Sequence, residues 1–277
     1  MVPAWLSMLD GCAAIVLIVG GIALAHLEIL PPMMGVQAII LGVIVATLAF
    51  LIGIVALIRT TNPRLRFGRP KAIIGTLLGL ATVATVVAVV AQSIGSPSRF
   101  PLINDITTDF ANPPVFVHAP TLKENQDKDM GYQRARLQTA QTAYYGTLAP
   151  LHTIDPPAVA FEHVKTVASE MPGWKITYSD PSRFALEGVS TSFLMHFKDD
   201  FAIEVRPAGT GSDIEMRSKS RDGLGDFGAN VARIHSFFAM FVQSDVSQEQ
   251  SNGGSTAGSP AAPAASPVPA APSPAAP

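Results

Sequence analysis

Two stretches without a charged residue, Gly35–Ile58 and Ala72–Gln92, dominate the hydropathy pattern of this chain. Each reaches the length of about 20 mostly apolar residues that carries a helix across the hydrocarbon core, so each predicts a membrane span. A third run, Gly11–Leu30, predicts a first span ending at Pro31-Pro32, with His26 and Glu28 near its distal end. A charge at the bilayer centre costs about 2.5–3.5 kcal/mol, which favours an interfacial position for this pair over the alternative, an intramembrane proton relay. The run lacks the basic n-region and the A-x-A-like site of a cleaved signal peptide. Cys12 follows Leu9-Asp10-Gly11 at the wrong end of the apolar stretch for lipid attachment, and reads as a small apolar helix residue.

The polar chain that follows is expected to have three zones. Residues 96–151 are rich in Pro, Asn, Asp and Thr and predict an extended, surface-hugging segment with a short helix over Gln133–Tyr145. The folded unit spans about 153–243. Asp155 before Pro156-Pro157 reads as a helix start with a capping carboxylate, and Phe161, Val164, Ala168 and Met171 recur at helical spacing up to Pro172-Gly173. Alternating strands are expected at Trp174–Tyr178, Arg183–Gly188, Ser192–Phe197 (the last two as separate strands or one bent one), Phe201–Val205 and Asp213–Arg221. Lys198-Asp199-Asp200 and Gly209–Ser212 read as turns. A closing helix, Asp226–Val242, carries the apolar stripe Phe227, Val231, Ile234, Phe238 and Phe241. The order predicts an α+β fold, three transmembrane helices followed by a small antiparallel sheet with two helices on one face. Residues 244–277 become almost entirely Ser, Gly, Ala and Pro, a composition that cannot bury a core, and are expected to be disordered.

Charge adds direction to this layout. Arg59, Arg64, Arg66, Arg69 and Lys71 lie between the second and third runs with no acidic residue among them. Basic connectors stay on the cytoplasmic side, so the N-terminus is expected inside and the polar domain outside, in the periplasm if the membrane is a bacterial inner membrane. From Arg99 onward fourteen Lys and Arg face nineteen Asp and Glu, with no basic stripe, which argues against nucleic acid as a partner. A single cysteine excludes an intrachain disulfide. Gly75 and Gly79, extended by Ala81, Ala84 and Ala88, form a small-residue surface suited to close helix packing, within the chain or in a dimer.

Catalytic and metal motifs are thin. There is no G-x-S-x-G elbow, H-E-x-x-H or Walker loop, and His118, His152, His163, His196 and His235 lack metal spacing. Asp127–Gly131 begins like a calcium loop but lacks its later ligands. No cofactor is expected. On the last strand Ile214, Met216, Ser218 and Ser220 share one face, and Glu215, Arg217, Lys219 and Arg221 the other. In the closing helix Asp226, Asn230 and Arg233 fall at i, i+4 and i+7. Two readings follow. Ser220, Arg221, Asn230 and Arg233 could hold an anionic or carbonyl group beside the free N–H groups of the helix start. Alternatively Asp226 caps the helix while Arg217, Arg221 or Arg233 pairs with Asp105, Asp109 or neighbouring carboxylates to anchor the extended segment, Arg233 being the most costly to lose.

The run Arg217–Asn230 with Arg233-Ile234 resembles the C-terminal signature of the domain of unknown function 1499 family. Ile103–Asp109 with Asn112-Pro113-Pro114 looks like that family's opening motif, and Phe197–Asp200 like its central turn. The resemblance covers roughly residues 97–243 and implies a fold and an envelope compartment, without a chemistry. A binding or interaction module in the cell envelope, touching the lipid bilayer and an envelope protein or a small anionic ligand, is therefore the expected function. An envelope hydrolase using Ser220 or His196 and a structural subunit of an inner-membrane complex are the alternatives.

Overall fold

A computed structural model describes residues 2–94, 101–146 and 148–253. The chain divides into two units, Met1–Phe241 and Val242–Pro277. The first begins with α1 (Val2–His26), α2 (Pro32–Arg59) and α3 (Arg69–Ile94), and the segments Val2–His26, Pro32–Arg59 and Pro63–Gln92 are each long and apolar enough to cross a membrane. They make this a membrane-anchored protein. The first span starts nine residues earlier than the apolar run suggested, because Ser7 and Asp10 are tolerated inside α1. Ser7 is buried and donates its hydroxyl to the Ala49 carbonyl of α2 at 2.8 Å, so the seam between helices absorbs its polarity.

The three helices are packed inside out relative to a soluble bundle. Ala4, Ser7, Gly11, Ala14, Gly21 and Ala25 are the buried residues of α1, and Gly35, Gly42, Ala46, Ala49, Gly53 and Ala56 those of α2. Large aliphatics such as Val16, Leu41 and Leu51 point outward, the arrangement that suits hydrocarbon on the outside and close backbone approach within. Gly75 meets Ser7 and Met8 of α1, and a methyl group on Gly79 would stand 2.5 Å from the Ala46 carbonyl oxygen of α2. Intramolecular packing thus uses the Gly75/Gly79 pair. The basic connector lies at the N-terminal end of α1, where the Lys71 ammonium sits 4.5 Å over the Trp5 ring.

The polar domain that follows the spans, termed the outer domain for its place in the chain and not for a compartment, is α+β. Its antiparallel sheet runs β1-β6-β5-β4-β3, with β2 also pairing β6: β1 (Asp105–Thr107), β2 (Leu151–Thr153), β3 (Trp174–Asp180), β4 (Ala185–Thr191), β5 (Lys198–Ala208) and β6 (Gly211–Ser220). The short β1 and β2 share one edge of β6, opposite residues 217–219 and 212–214. Helices α4 (Arg134–Tyr145), α5 (Pro157–Glu170) and α6 (Ala229–Gly253) complete it. Phe161, Val164 and Val167 of α5 and Ile234, Phe237 and Phe241 of α6 bury Leu186, Phe201, Ile203, Val205, Ile214 and Met216 of the sheet.

Four local expectations are corrected. Pro156, not Asp155, precedes α5, with no side-chain cap, and the Asp155 carbonyl instead accepts the Ser212 hydroxyl at 2.7 Å. Residues 192–197 form the loop between β4 and β5 rather than a strand, since Ser192 accepts the Phe197 N–H and closes a turn. Lys198–Asp200 is not a turn but the start of β5, where the two aspartates are 7% and 1% exposed. Phe227 lies before α6 with φ of 51° and is exposed, while Phe237 takes the buried place in the stripe. Helix α6 also continues through Ser244 to Gly253; the rest of the expected tail, 254–277, lies outside the described residues.

The domain meets the anchor at the end carrying the α1–α2 connector. Glu28 sits in that connector, its carboxylate 3.2 Å from His196 Nδ1 and 3.5 Å from Lys198 Nζ. Met195 of the β4–β5 loop lies against Gly35 at the start of α2. Since α1, α2 and α3 run alternately up and down, the basic connector and the outer domain occupy opposite ends of the anchor.

Candidate functional site

The two faces of the sheet have opposite chemistry. One is the apolar face under α5 and α6. The other carries Glu187 on β4, Asp200, Glu204 and Arg206 on β5, and Glu215, Arg217 and Lys219 on β6, most of them buried. What covers this charged face is chain from residues 109 to 132, irregular apart from two single 3-10 turns at Ala119–Thr121 and Lys123–Asn125. Such chain makes few regular backbone hydrogen bonds of its own, and a buried N–H or C=O left alone is expensive. The sheet side chains satisfy it instead. Glu187 accepts the N–H groups of Val117 (2.5 Å), His118 (2.8 Å) and Ala119 (2.8 Å). Glu204 accepts from Val115, and Arg206 donates to the Asn112 carbonyl.

Arg217 is the centre of this layer. Its guanidinium, 2% exposed, grips Asp105 through two bonds of 2.9 and 2.8 Å and also donates to the Pro114 and Met130 carbonyls. The rings of Phe116 and Tyr132 flank it at 4.7 and 5.3 Å, and Lys219 reaches Asp105 at 3.2 Å. Burial of Tyr132 pushes its phenol up to about 12, so it stays neutral beside the guanidinium. Arg221 makes a second bidentate pair, with Asp200, whose Oδ2 also accepts from Asn125 Nδ2.

Ser218, Ser220, Asn230 and Arg233 come together on the opposite face. Ser218 donates to Asn230 Oδ1 at 2.7 Å, Asn230 Nδ2 donates to Ser220 Oγ at 3.0 Å, and Arg233 donates to Ser218, Asn230 and Asp199. Asp226 lies before α6 rather than inside it and accepts the N–H groups of Gly228 and Asn230. The start of the helix is therefore occupied by the chain's own carboxylate. The four residues expected to share one ligand site are divided: Arg221 belongs to the charged face, Ser220, Asn230 and Arg233 to the helical one. Asp109 pairs with Arg206 at 3.6 Å, not with any arginine of the motif.

Sequence reasoning missed Glu187, Glu204 and the roles of Asp199 and Asp200, and it placed Glu215 on the right face without giving it a role. The alternation of β4 could have flagged Glu187, a carboxylate at a position flanked by buried residues. Glu215 is strongly perturbed. Burial pushes it up to about 7 against the opposing pull of Arg206, whose Nη1 stands 2.5 Å away without hydrogen-bond geometry; Asp109 and Glu204 add repulsion. A carboxyl whose native pKa lies above its unfolded value contributes stability below the ordinary carboxylate range and loses it as pH rises through the native value. The thermal midpoint of the outer domain is thus expected to fall as pH rises through about 7. Glu215→Gln should reduce the slope without abolishing it, because buried Asp226 is raised too and has the same sign. A midpoint profile identical in the variant would refute this.

One hollow on the surface is basic. Lys128, Arg136, Lys219 and Arg221 border it with Asn104 and Ser220, against the single carboxylate Asp129, around a volume of about 240 Å³. Asp105 balances only one of Arg217 and Lys219, and Arg136 spends its Nε on neutral Gln133, so positive charge is in excess. No group of His, Cys, Asp and Glu suited to a metal ion occurs among the described residues.

Residues 105–241 match the family described as "Protein of unknown function (DUF1499)". No curated protein and no solved structure matches the chain.

Proposed function

We propose, from the premise that this chain belongs to the DUF1499 family, that it is a membrane-anchored binding module of the cell envelope that takes a small anionic ligand. The observation that carries the reading is the excess of positive charge at the hollow bordered by Lys128, Arg136, Lys219 and Arg221, where Arg221 is paired with Asp200 and Lys219 shares Asp105 with Arg217. Guanidinium and ammonium donors converging from three separate segments suit the oxygens of a phosphate or carboxylate. A hydrolase is less well supported: Ser220 accepts from Asn230 rather than donating to a base, and His196 faces the Glu28 carboxylate rather than a serine hydroxyl. Binding is tested by thermal shift of the detergent-purified full chain with inorganic phosphate and glycerol phosphate. A midpoint rising with ligand, and a response lost in Arg136→Ala, is expected. No shift, or one that Arg136→Ala retains, overturns the reading.

Orientation belongs to the same proposal. The positive-inside bias of Arg59–Lys71 supports a cytoplasmic N-terminus and an outer domain in the periplasm of a bacterial inner membrane. Reporter fusions after Arg69 and after Gly146 are expected to report opposite compartments; the same compartment for both would refute it.

A further inference from the structure

A second cavity, of about 350 Å³, opens where the outer domain meets the membrane anchor, and its composition differs from that of the basic hollow. Its anchor side is the α1–α2 connector, Ile29–Pro32, with Ala25 of α1. A connector of a few residues between two spans fixes this side at the level of the lipid head groups. Its domain side is charged. Lys128, Lys198 and Arg221, the last already paired with Asp200, are its cations, and Glu124 and Asp222 its carboxylates, to which the connector adds Glu28 from the anchor side. Beside it the β4–β5 loop carries Phe193 and Leu194, 87% and 55% exposed, with the Phe193 ring 6.1 Å from His26 at the end of α1. Two large apolar side chains exposed at that level gain by entering the acyl region, as interfacial anchors do.

We propose that this junction cavity holds the phosphoethanolamine head group of a membrane phospholipid. A balanced lining suits a zwitterion: the phosphate finds Lys198 and Lys128, the ammonium finds Glu124 and Asp222. A purely anionic head group would leave those carboxylates facing it without compensation, which disfavours it. The phosphate competes with Glu28 for Lys198. Glu28 is placed to yield, since its side chain is 57% exposed, its contact with Lys198 is long at 3.5 Å, and its backbone has φ of 55°. The neighbouring Lys128 and Asp222 form a loose, half-exposed ion pair at 4.0 Å, beyond hydrogen-bond reach, which a zwitterion can open by taking one partner at each end. The diacylglycerol portion then leaves over Ile29 and Leu30 toward the bilayer.

The site is distinct from the basic hollow, although Lys128 and Arg221 border both. Native mass spectrometry of the full chain, purified in detergent and offered equal phosphatidylethanolamine and phosphatidylglycerol, tests it. Retention of phosphatidylethanolamine over phosphatidylglycerol by about tenfold is expected, the equivalent of one charge-assisted contact. Lys198→Ala should reduce that retention by a similar factor, and Glu124→Gln with Asp222→Asn should shift the preference to phosphatidylglycerol. Arg136→Ala should leave it unchanged while abolishing the phosphate response, which separates this proposal from the reading above. Free phosphoethanolamine displacing the lipid supports head-group recognition; binding of the free compound without the lipid would overturn the lipid source. Equal retention of both lipids, or a preference that Lys198→Ala leaves intact, overturns the site.

Discussion

Arg217→Ala is expected to be the most destabilising single arginine replacement in the outer domain, at about 3–5 kcal/mol. The reason is what remains behind. Asp105, fully buried, would keep Lys219 as its sole charged neighbour, and the carbonyls of Pro114 and Met130 would lose their donor. Asp105→Ala strands the guanidinium in turn and should cost a similar amount. The double variant should cost much less than the sum of the two, because each single change already forfeits the shared pair. Trp174, packed on Phe201 and Phe237, reports unfolding of this domain by fluorescence once Trp5 is replaced by Phe. Arg233→Ala should rank below Arg217→Ala, since the Arg233–Asp199 pair retains about a tenth of its side-chain exposure on each partner and water can reach both. An Arg233 variant less stable than the Arg217 variant, or strictly additive costs at 105 and 217, would refute the anchor.

Glu187→Ala should produce the second large loss, and a more local one. Three backbone N–H groups lose one carboxylate at once, and each stranded donor costs about 1–3 kcal/mol before water relieves it. Half-exposed Val117 admits water, Ala119 does not. A net loss of about 3 kcal/mol follows from that balance. Amide exchange at Val117, His118 and Ala119 should accelerate strongly while the amides of β5 and β6 remain protected. Unchanged exchange at those three positions would mean that the segment is held by something other than Glu187.

How far the residues alone foretold this depended on the range of the interaction. The alternation along β6 placed Arg217, Lys219 and Glu215 on one face and Ile214 and Met216 on the other, and strand geometry alone dictates that. The apolar stripe of α6 and the two charge-free spans were equally legible, being periodic within one element. The start of α1 was not, because Ser7 is acceptable only through its bond to Ala49, 42 residues away. Asp199-Asp200 misled for the same reason. Two adjacent carboxylates after a lysine have the composition of a turn, and they enter a strand only because Arg221 and Arg233, 21 and 34 residues downstream, meet them one on each face. Pairing at that distance leaves no local signal. The polar motif at the strand–helix junction was found by its density of unusual residues, but its division between two faces follows from the sheet.

The segment from 109 to 132 is held mainly by its main chain, since the groups that Glu187, Glu204, Arg206 and Arg217 take hold of are amides and carbonyls that every residue carries. Its fit therefore depends on count more than on identity. Exchanging an exposed side chain such as Lys123 or Gln126 leaves every grip in register, whereas inserting or removing one residue between Val115 and Ala119 moves an N–H out of reach of a fixed carboxylate. Tolerance of substitution and intolerance of length change would then coexist in one loop, the reverse of the usual behaviour of a surface connection.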